Sequence, residues 1–155
     1  ILEPDVRWHR CDIKSISLLG NIMTNESAMN ANTSEAALVR DGVISEGSHT
    51  NIFFVKDGTV LTHPANEHIL NGITRKIVLK LCYDLDIPIK EIPVAENKIE
   101  QMDEAFFTGT TTQVVSIAQL GSHTFYNNDE IGKVTHRLQE AFAQLREKNT
   151  ADITL

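Results

Sequence analysis

The sequence predicts a mixed α/β domain of the α+β kind, in which mostly antiparallel, mixed strands form a sheet curled into a barrel-like domain with flanking helices. Three patterns carry that expectation: short β-branched runs closed by Asp-Gly turns in the first half, a helical repeat opening at Ile73 that interrupts the strands, and an amphipathic repeat at the end. At 155 residues, 41% apolar and 23% charged, the chain has the size and composition of one domain around one core.

Residues 6–13 are mixed and β-branched enough for a strand, and the run from Gly20 to Ala31 suits a helix, which places Lys14 at a strand-to-helix junction. Residues 36–40 and 51–56 read as strands. Asp57-Gly58 before Thr59-Val-Leu-Thr62 is a hairpin signal, because both residues tolerate the positive φ of a tight turn, and Asp41-Gly42 is a second such turn. The clearest helix opens at Ile73-Thr74, repeats through Ile77, Val78, Leu81 and Leu85, and stops before Pro88. Residues 89–94 then read as a strand, 96–102 as a short helix, 104–108 as a buried strand and 114–120 as another. Residues 131–148 set Val134, Leu138, Phe142 and Leu145 on one face of a surface helix.

Fourteen Lys and Arg stand against 21 Asp and Glu, a net charge of −7, and no basic cluster interrupts the balance. That argues against nucleic acid as the main partner and for a small ligand. The apolar stretches fall far short of the roughly 20 residues that span a bilayer, so no membrane partner is expected. Two isolated cysteines, Cys11 and Cys82, fit a reducing, cytoplasmic setting. The six histidines show no HExxH spacing and the serines no GxSxG, which leaves zinc and hydrolase chemistry unsupported. A chain that opens Ile-Leu-Glu-Pro reads as the interior of a longer protein.

Five stretches carry the candidate chemistry: Asp12-Ile-Lys14-Ser, Ser45-Glu46-Gly-Ser48-His-Thr-Asn51, His63-Pro-Ala-Asn66, Asn71-Gly72-Ile73-Thr74-Arg75 and Thr108-Gly109-Thr110-Thr111-Thr112. Gly72-Ile73-Thr74 ahead of a helix offers free N–H groups and a hydroxyl to a phosphate, or serves only as a loop glycine and cap. The Thr108–Thr112 run offers backbone and hydroxyls to the same kind of anion, or is only a strand end. Glu46, just beyond a strand, is either a cleft carboxylate or a solvated surface one, and Glu46→Lys is expected to leave folding largely intact. Lys14 is either a surface charge or an amine that attacks a carbonyl. Taken together, an amine, a carboxylate for a pyridine nitrogen and two anion-binding loops are the inventory that pyridoxal 5′-phosphate requires.

Arg10-Cys-Asp-Ile-Lys14-Ser, Glu46-Gly-Ser-His-Thr-Asn51, Thr62-His-Pro-Ala-Asn66 and Gly72-Ile-Thr-Arg75 resemble, in order and spacing over roughly residues 4 to 148, the fold-type IV (class IV) aminotransferases. Their wording is most similar to the bacterial D-amino acid (D-alanine) aminotransferases. The resemblance implies that residues 1–155 form the C-terminal cofactor-binding domain, without its N-terminal domain, of a homodimeric enzyme. That enzyme passes amino groups between D-amino acids and 2-oxo acids. It implies a Schiff base at Lys14, with the pyridine nitrogen paired to Glu46. Gly72, Ile73, Thr74, Gly109, Thr110 and Thr111 would lie at the phosphate, Leu70 against the ring, and Ser48 to Asn51 along its edge. Departures from the pattern are Gly109 where serine is usual in the D-amino acid enzymes, and His49 and Thr50 where small serines are usual. The alternatives are a branched-chain L-amino acid aminotransferase, an aminodeoxychorismate lyase that releases pyruvate, and an inactive cofactor-binding fragment.

Overall fold

A computed structural model describes residues 1–127 and 130–151. The longest apolar run builds its centre. Strands β4 (Asn51–Lys56) and β5 (Thr59–Thr62) form the expected hairpin, and its turn residues Asp57 and Gly58 take φ values of 48° and 71°. β8 (Glu104–Gly109) pairs antiparallel with β4 on the other side, β9 (Gln113–Ser116) extends the sheet, and β6 (Ile89–Glu91) joins parallel to β5. The order β6-β5-β4-β8-β9 puts β5, β4 and β8 inside the edge strands β6 and β9, and on the inner strands β4 and β8 the runs Ile52-Phe-Phe-Val55 and Ala105-Phe-Phe107 are apolar on both faces.

A second sheet, of order β1-β2-β3-β7, holds β1 (Leu2–Pro4), β2 (Ala37–Arg40), β3 (Val43–Gly47) and β7 (Val94–Ala95). β1 and β2 are parallel and the other pairs antiparallel. A third pairs β10 (Gln119–Leu120) with β11 (His123–Thr124). The helices are α1 (Leu19–Asn30), α2 (Ile73–Asp84) and α3 (Lys133–Ala151), with a 3-10 turn at Glu96–Gln101. Ile52, Phe54, Ala105 and Phe107 pack between the two large sheets against Ala37, Ile44 and Val94. Phe53, Val55 and Phe106 face the opposite way, onto Val78, Leu81 and Cys82 of α2 and Leu138 of α3. The fold is thus mixed α+β with flanking helices, as expected, and the described strands form open sheets with no closed barrel among them. Among the described residues no helix is long and apolar enough to cross a membrane.

Several boundaries differ from those expected. Residues 6–13 form no strand: after Asp5 N–H donates to the Val39 carbonyl the chain turns, Arg7 goes inward, and Cys11 N–H donates to the Glu67 carbonyl. Lys14 therefore sits in an irregular loop between β1 and α1, not at the end of a core strand, and Ile13 beside it is exposed. The 89–94 run divides into β6 and β7 in different sheets, because Pro93 has no N–H for a ladder. The 114–120 run divides into β9 and β10. The last helix begins at Lys133, where Glu104 of β8 takes up the first amides.

Candidate active site

Glu46 lies within β3 rather than beyond it, 5% exposed, with its carboxylate turned away from bulk water. Oε2 accepts hydrogen bonds from Asn51 Nδ2 at 2.9 Å and from the Leu70 amide at 3.1 Å, while Oε1 is ion-paired with Arg7 Nη1. Burial raises its pKa to about 7, although the Arg7 guanidinium pulls the other way. Arg7 is fixed in turn by Asp5, whose Oδ1 accepts from Nε and whose Oδ2 accepts from Nη2, both at 2.8 Å. Asp5 also accepts from Arg40 Nε at 3.1 Å. Burial works against ionisation of Asp5, and the two guanidiniums outweigh it, holding the carboxyl well below the usual range.

From Glu46 the chain turns through residues 47–50 over a second buried carboxylate, Glu35. Its Oε1 accepts from Thr50 Oγ1 at 2.7 Å, from the His49 amide at 3.1 Å and from Ser48 Oγ at 3.4 Å. Gly47 is required here, since a Cβ would collide with Glu35 Oε1 and Thr50 Oγ1. The turn brings Ser48, fully buried, and Asn51 to the same opening, where Asn51 Nδ2 also donates to the Leu70 carbonyl at 2.7 Å. That bond ties β4 to the segment leading into α2.

Helix α2 starts after Gly72 with no side-chain cap, so its first amides are free toward the opening. Thr74 is buried there, and Ile73 is exposed. Arg75, 1% exposed, anchors this end by donating to the His63 carbonyl at 2.9 Å, to Asn71 Oδ1 at 3.0 Å and to Glu91 Oε2 at 2.5 Å. The His63–Asn66 stretch thus serves to hold the helix start. At the end of β8, Thr108 Oγ1 is buried without a hydrogen-bond partner, next to Gly109 and the exposed Thr110.

These groups surround one cavity of about 680 Å³. Lys14, Glu46, Ser48, Asn51, Leu70, Gly72, Ile73, Thr74, Gly109 and Thr110 all line it, whereas Thr111 is exposed in the β8–β9 turn outside the lining. Five stretches scattered over the chain were candidates, and four of them converge on this cavity; His63–Asn66 lies outside its lining. Sequence reading missed Asp5, Arg7, Glu35 and Arg40, which look like ordinary charges along the chain. An available signal was the density of charge in Asp5-Val-Arg7 just upstream of Lys14, within a run otherwise expected to be core. A free amine, a buried carboxylate and an uncapped helix start beside an unpartnered hydroxyl can together hold a carbonyl compound that carries a basic ring nitrogen and an anionic tail.

A family model for amino-transferase class IV matches residues 2–120. The chain belongs to the class IV aminotransferases. Among curated relatives, the D-alanine aminotransferase of Staphylococcus aureus (strain N315) is 38% identical over 150 residues, covering 97% of this chain and 53% of that protein. The chain therefore spans about half the length of the curated relatives it matches. Among solved structures, the branched-chain aminotransferase of the archaeon Thermoproteus uzoniensis with norvaline aligns with a TM-score of 0.81 and 29% identity, over 91% of this chain and 49% of that one. The Escherichia coli branched-chain amino acid aminotransferase gives 0.79 and 28%, over 92% and 49%. In this class IV aminotransferase chain, three of the four segments that carried the resemblance contribute to the cavity lining, and Thr62–Asn66 lies outside it.

Proposed function

We propose that these residues are the C-terminal, cofactor-binding domain of a pyridoxal 5′-phosphate-dependent D-amino acid aminotransferase. The intact enzyme exchanges amino groups between D-amino acids such as D-alanine and 2-oxo acids such as 2-oxoglutarate. The observation that carries the reading is the meeting of Lys14, Glu46 and the uncapped α2 start at one cavity, in a chain 38% identical to D-alanine aminotransferase. The residues present fit the cofactor. The first amides of α2, the Thr74 hydroxyl and the unpartnered Thr108 Oγ1, with Thr110 beside it, suit its phosphate.

When bound, pyridoxal phosphate supplies a carbonyl carbon for an amine and a ring that draws electron density from the substrate Cα. Lys14 Nζ is the amine, and it holds and returns the proton that leaves the substrate Cα. Glu46 holds the proton at the ring nitrogen, in a site dry enough for its charge to act at full strength. Leu70 packs beside the ring, while Ser48 and Asn51 line its edge and keep the Glu46 carboxylate in register. Groups for the substrate carboxylate belong to the part of the enzyme outside this chain, and a homodimer completes the site. The run of exposed apolar side chains Ile16, Leu18, Leu19, Ile22 and Met23 near the opening supports such a covering partner.

Adding pyridoxal phosphate to the purified chain, recording visible absorption, reducing with borohydride and mapping the modified peptide tests the cofactor reading. A label on Lys14 supports it, and a label confined to other lysines overturns it. Substrate choice is tested on the full-length enzyme, which should transaminate D-alanine with 2-oxoglutarate. A second reading, branched-chain L-amino acid transamination, is favoured by the Thr108-Gly109-Thr110 wording and by the branched-chain names of the solved neighbours. Turnover of L-leucine without D-alanine would select it.

A further inference from the structure

We propose that Arg7, clamped by Asp5, is a positioning residue that favours the ionised form of the buried Glu46 carboxylate and fixes it for its partner in the cavity. The proposal rests on the reading that Glu46 faces the cofactor ring, and its geometry is independent of that reading. Arg7 presents one edge of its guanidinium, Nε and Nη2, to the two oxygens of Asp5, which leaves Nη1 for Glu46 Oε1. Its Nη2 also donates to the His68 carbonyl at 3.2 Å, so the fork cannot rotate freely. Asp5 is held from the other side by Arg40 Nε and by Ser45 Oγ at 3.2 Å. Arg7 and Arg40 balance Asp5 and Glu46, a neutral buried cluster of four charges at the floor of the site.

The titratable and charged groups that face Glu46 are few. Arg7 and Asp5 come from the segment after β1, Arg40 from β2 lies behind Asp5, and Cys11, whose thiol burial pushes up, lies on the same segment. Asn51 and the Leu70 amide donate but carry no charge. Arg7 is thus the one cation bonded to Glu46 among the described residues. Without it, burial acts unopposed and Glu46 holds its proton to still higher pH, which weakens it as the anionic partner of a protonated ring. Asp5 acts in the opposite direction, because its negative charge offsets Arg7 as Glu46 feels it. Lysine would carry the charge but not the fork, which makes Arg7→Lys the conservative control.

The test titrates Glu46 in the ligand-free chain by infrared difference spectroscopy, with its carboxyl band assigned as the one lost in Glu46→Gln. Arg7→Met should raise the midpoint by at least one pH unit, a tenfold or greater gain in proton affinity. Arg7→Lys should restore most of the shift, and Asp5→Asn should lower the midpoint. An unchanged midpoint in folded Arg7→Met overturns the proposal; should that variant fail to fold, an unchanged midpoint in Asp5→Asn overturns it equally. Failure of the cofactor reading shows elsewhere, as no pyridoxyl label on Lys14 of the wild-type chain, whichever way Glu46 titrates.

Discussion

Lys14 and Glu46 differ most in what surrounds them. Lys14 is exposed in an irregular loop, so Lys14→Ala should shift stability by no more than about 0.5 kcal/mol. The same change should abolish the borohydride-stable label and any transamination, measured by peptide mapping and by a coupled assay. Glu46 is buried and paired, so the expectation that Lys could replace it without harm to the fold does not survive. Glu46→Lys would place a second cation against Arg7 where Asn51 and Leu70 offer only donors. That variant should lose roughly 3–5 kcal/mol in urea unfolding, whereas Glu46→Gln should keep most of its hydrogen bonds and the fold.

At the scale of elements, the inner strands β4 and β8 are fixed by stacked Phe53 and Phe106, whose ring centroids lie 4.9 Å apart. These strands then deliver Asn51 at one end of β4 and Thr108 at the adjacent end of β8, which are register partners. Helix α3 is attached to the same sheet through Glu104, which accepts from the Val134 and Thr135 amides at 3.1 and 2.7 Å and from Thr135 Oγ1 at 2.7 Å. Glu104→Ala removes that cap and leaves a buried hydroxyl without its partner. It should cost about 1–3 kcal/mol, read as a drop of several degrees in Tm, with the cavity and its label unaffected.

For the whole molecule, the buried charge cluster predicts a pH dependence with two parts. The folded pKa of Asp5 lies below its ordinary value of 3.8, so its contribution is complete above that pH and is lost as the pH falls beneath it. Glu46 works the other way. With a folded pKa near 7 against an ordinary 4.5, the folded state binds the extra proton between those values, and stability declines as the pH rises from 4.5 to 7. Tm measured across pH 3 to 8 should therefore show this decline in the wild type relative to Glu46→Gln, in which the component vanishes. Equal slopes for the two proteins would show that Glu46 does not titrate in this window.

The sequence by itself determined the elements whose signals are local. Asp57-Gly58 and Asp41-Gly42 encode their turns through positive φ, the Ile77-Val78-Leu81 repeat encodes α2, and strands β4 and β8 announce themselves as unbroken apolar runs. The candidate residues from Lys14 to Thr110 were legible too, since an amine, a carboxylate, glycines and hydroxyls are specific chemical types in a specific order. Only the tertiary structure decided that residues 6–13 form no strand, that Pro93 splits one strand between two sheets, and that Asp5, Arg7, Glu35 and Arg40 are buried partners. A charged residue looks the same along the chain whether solvated or paired. Burial and pairing depend on contacts between residues as far apart as Arg7 and Glu46, and such contacts exist only once β1, β2 and β3 have come together in one sheet.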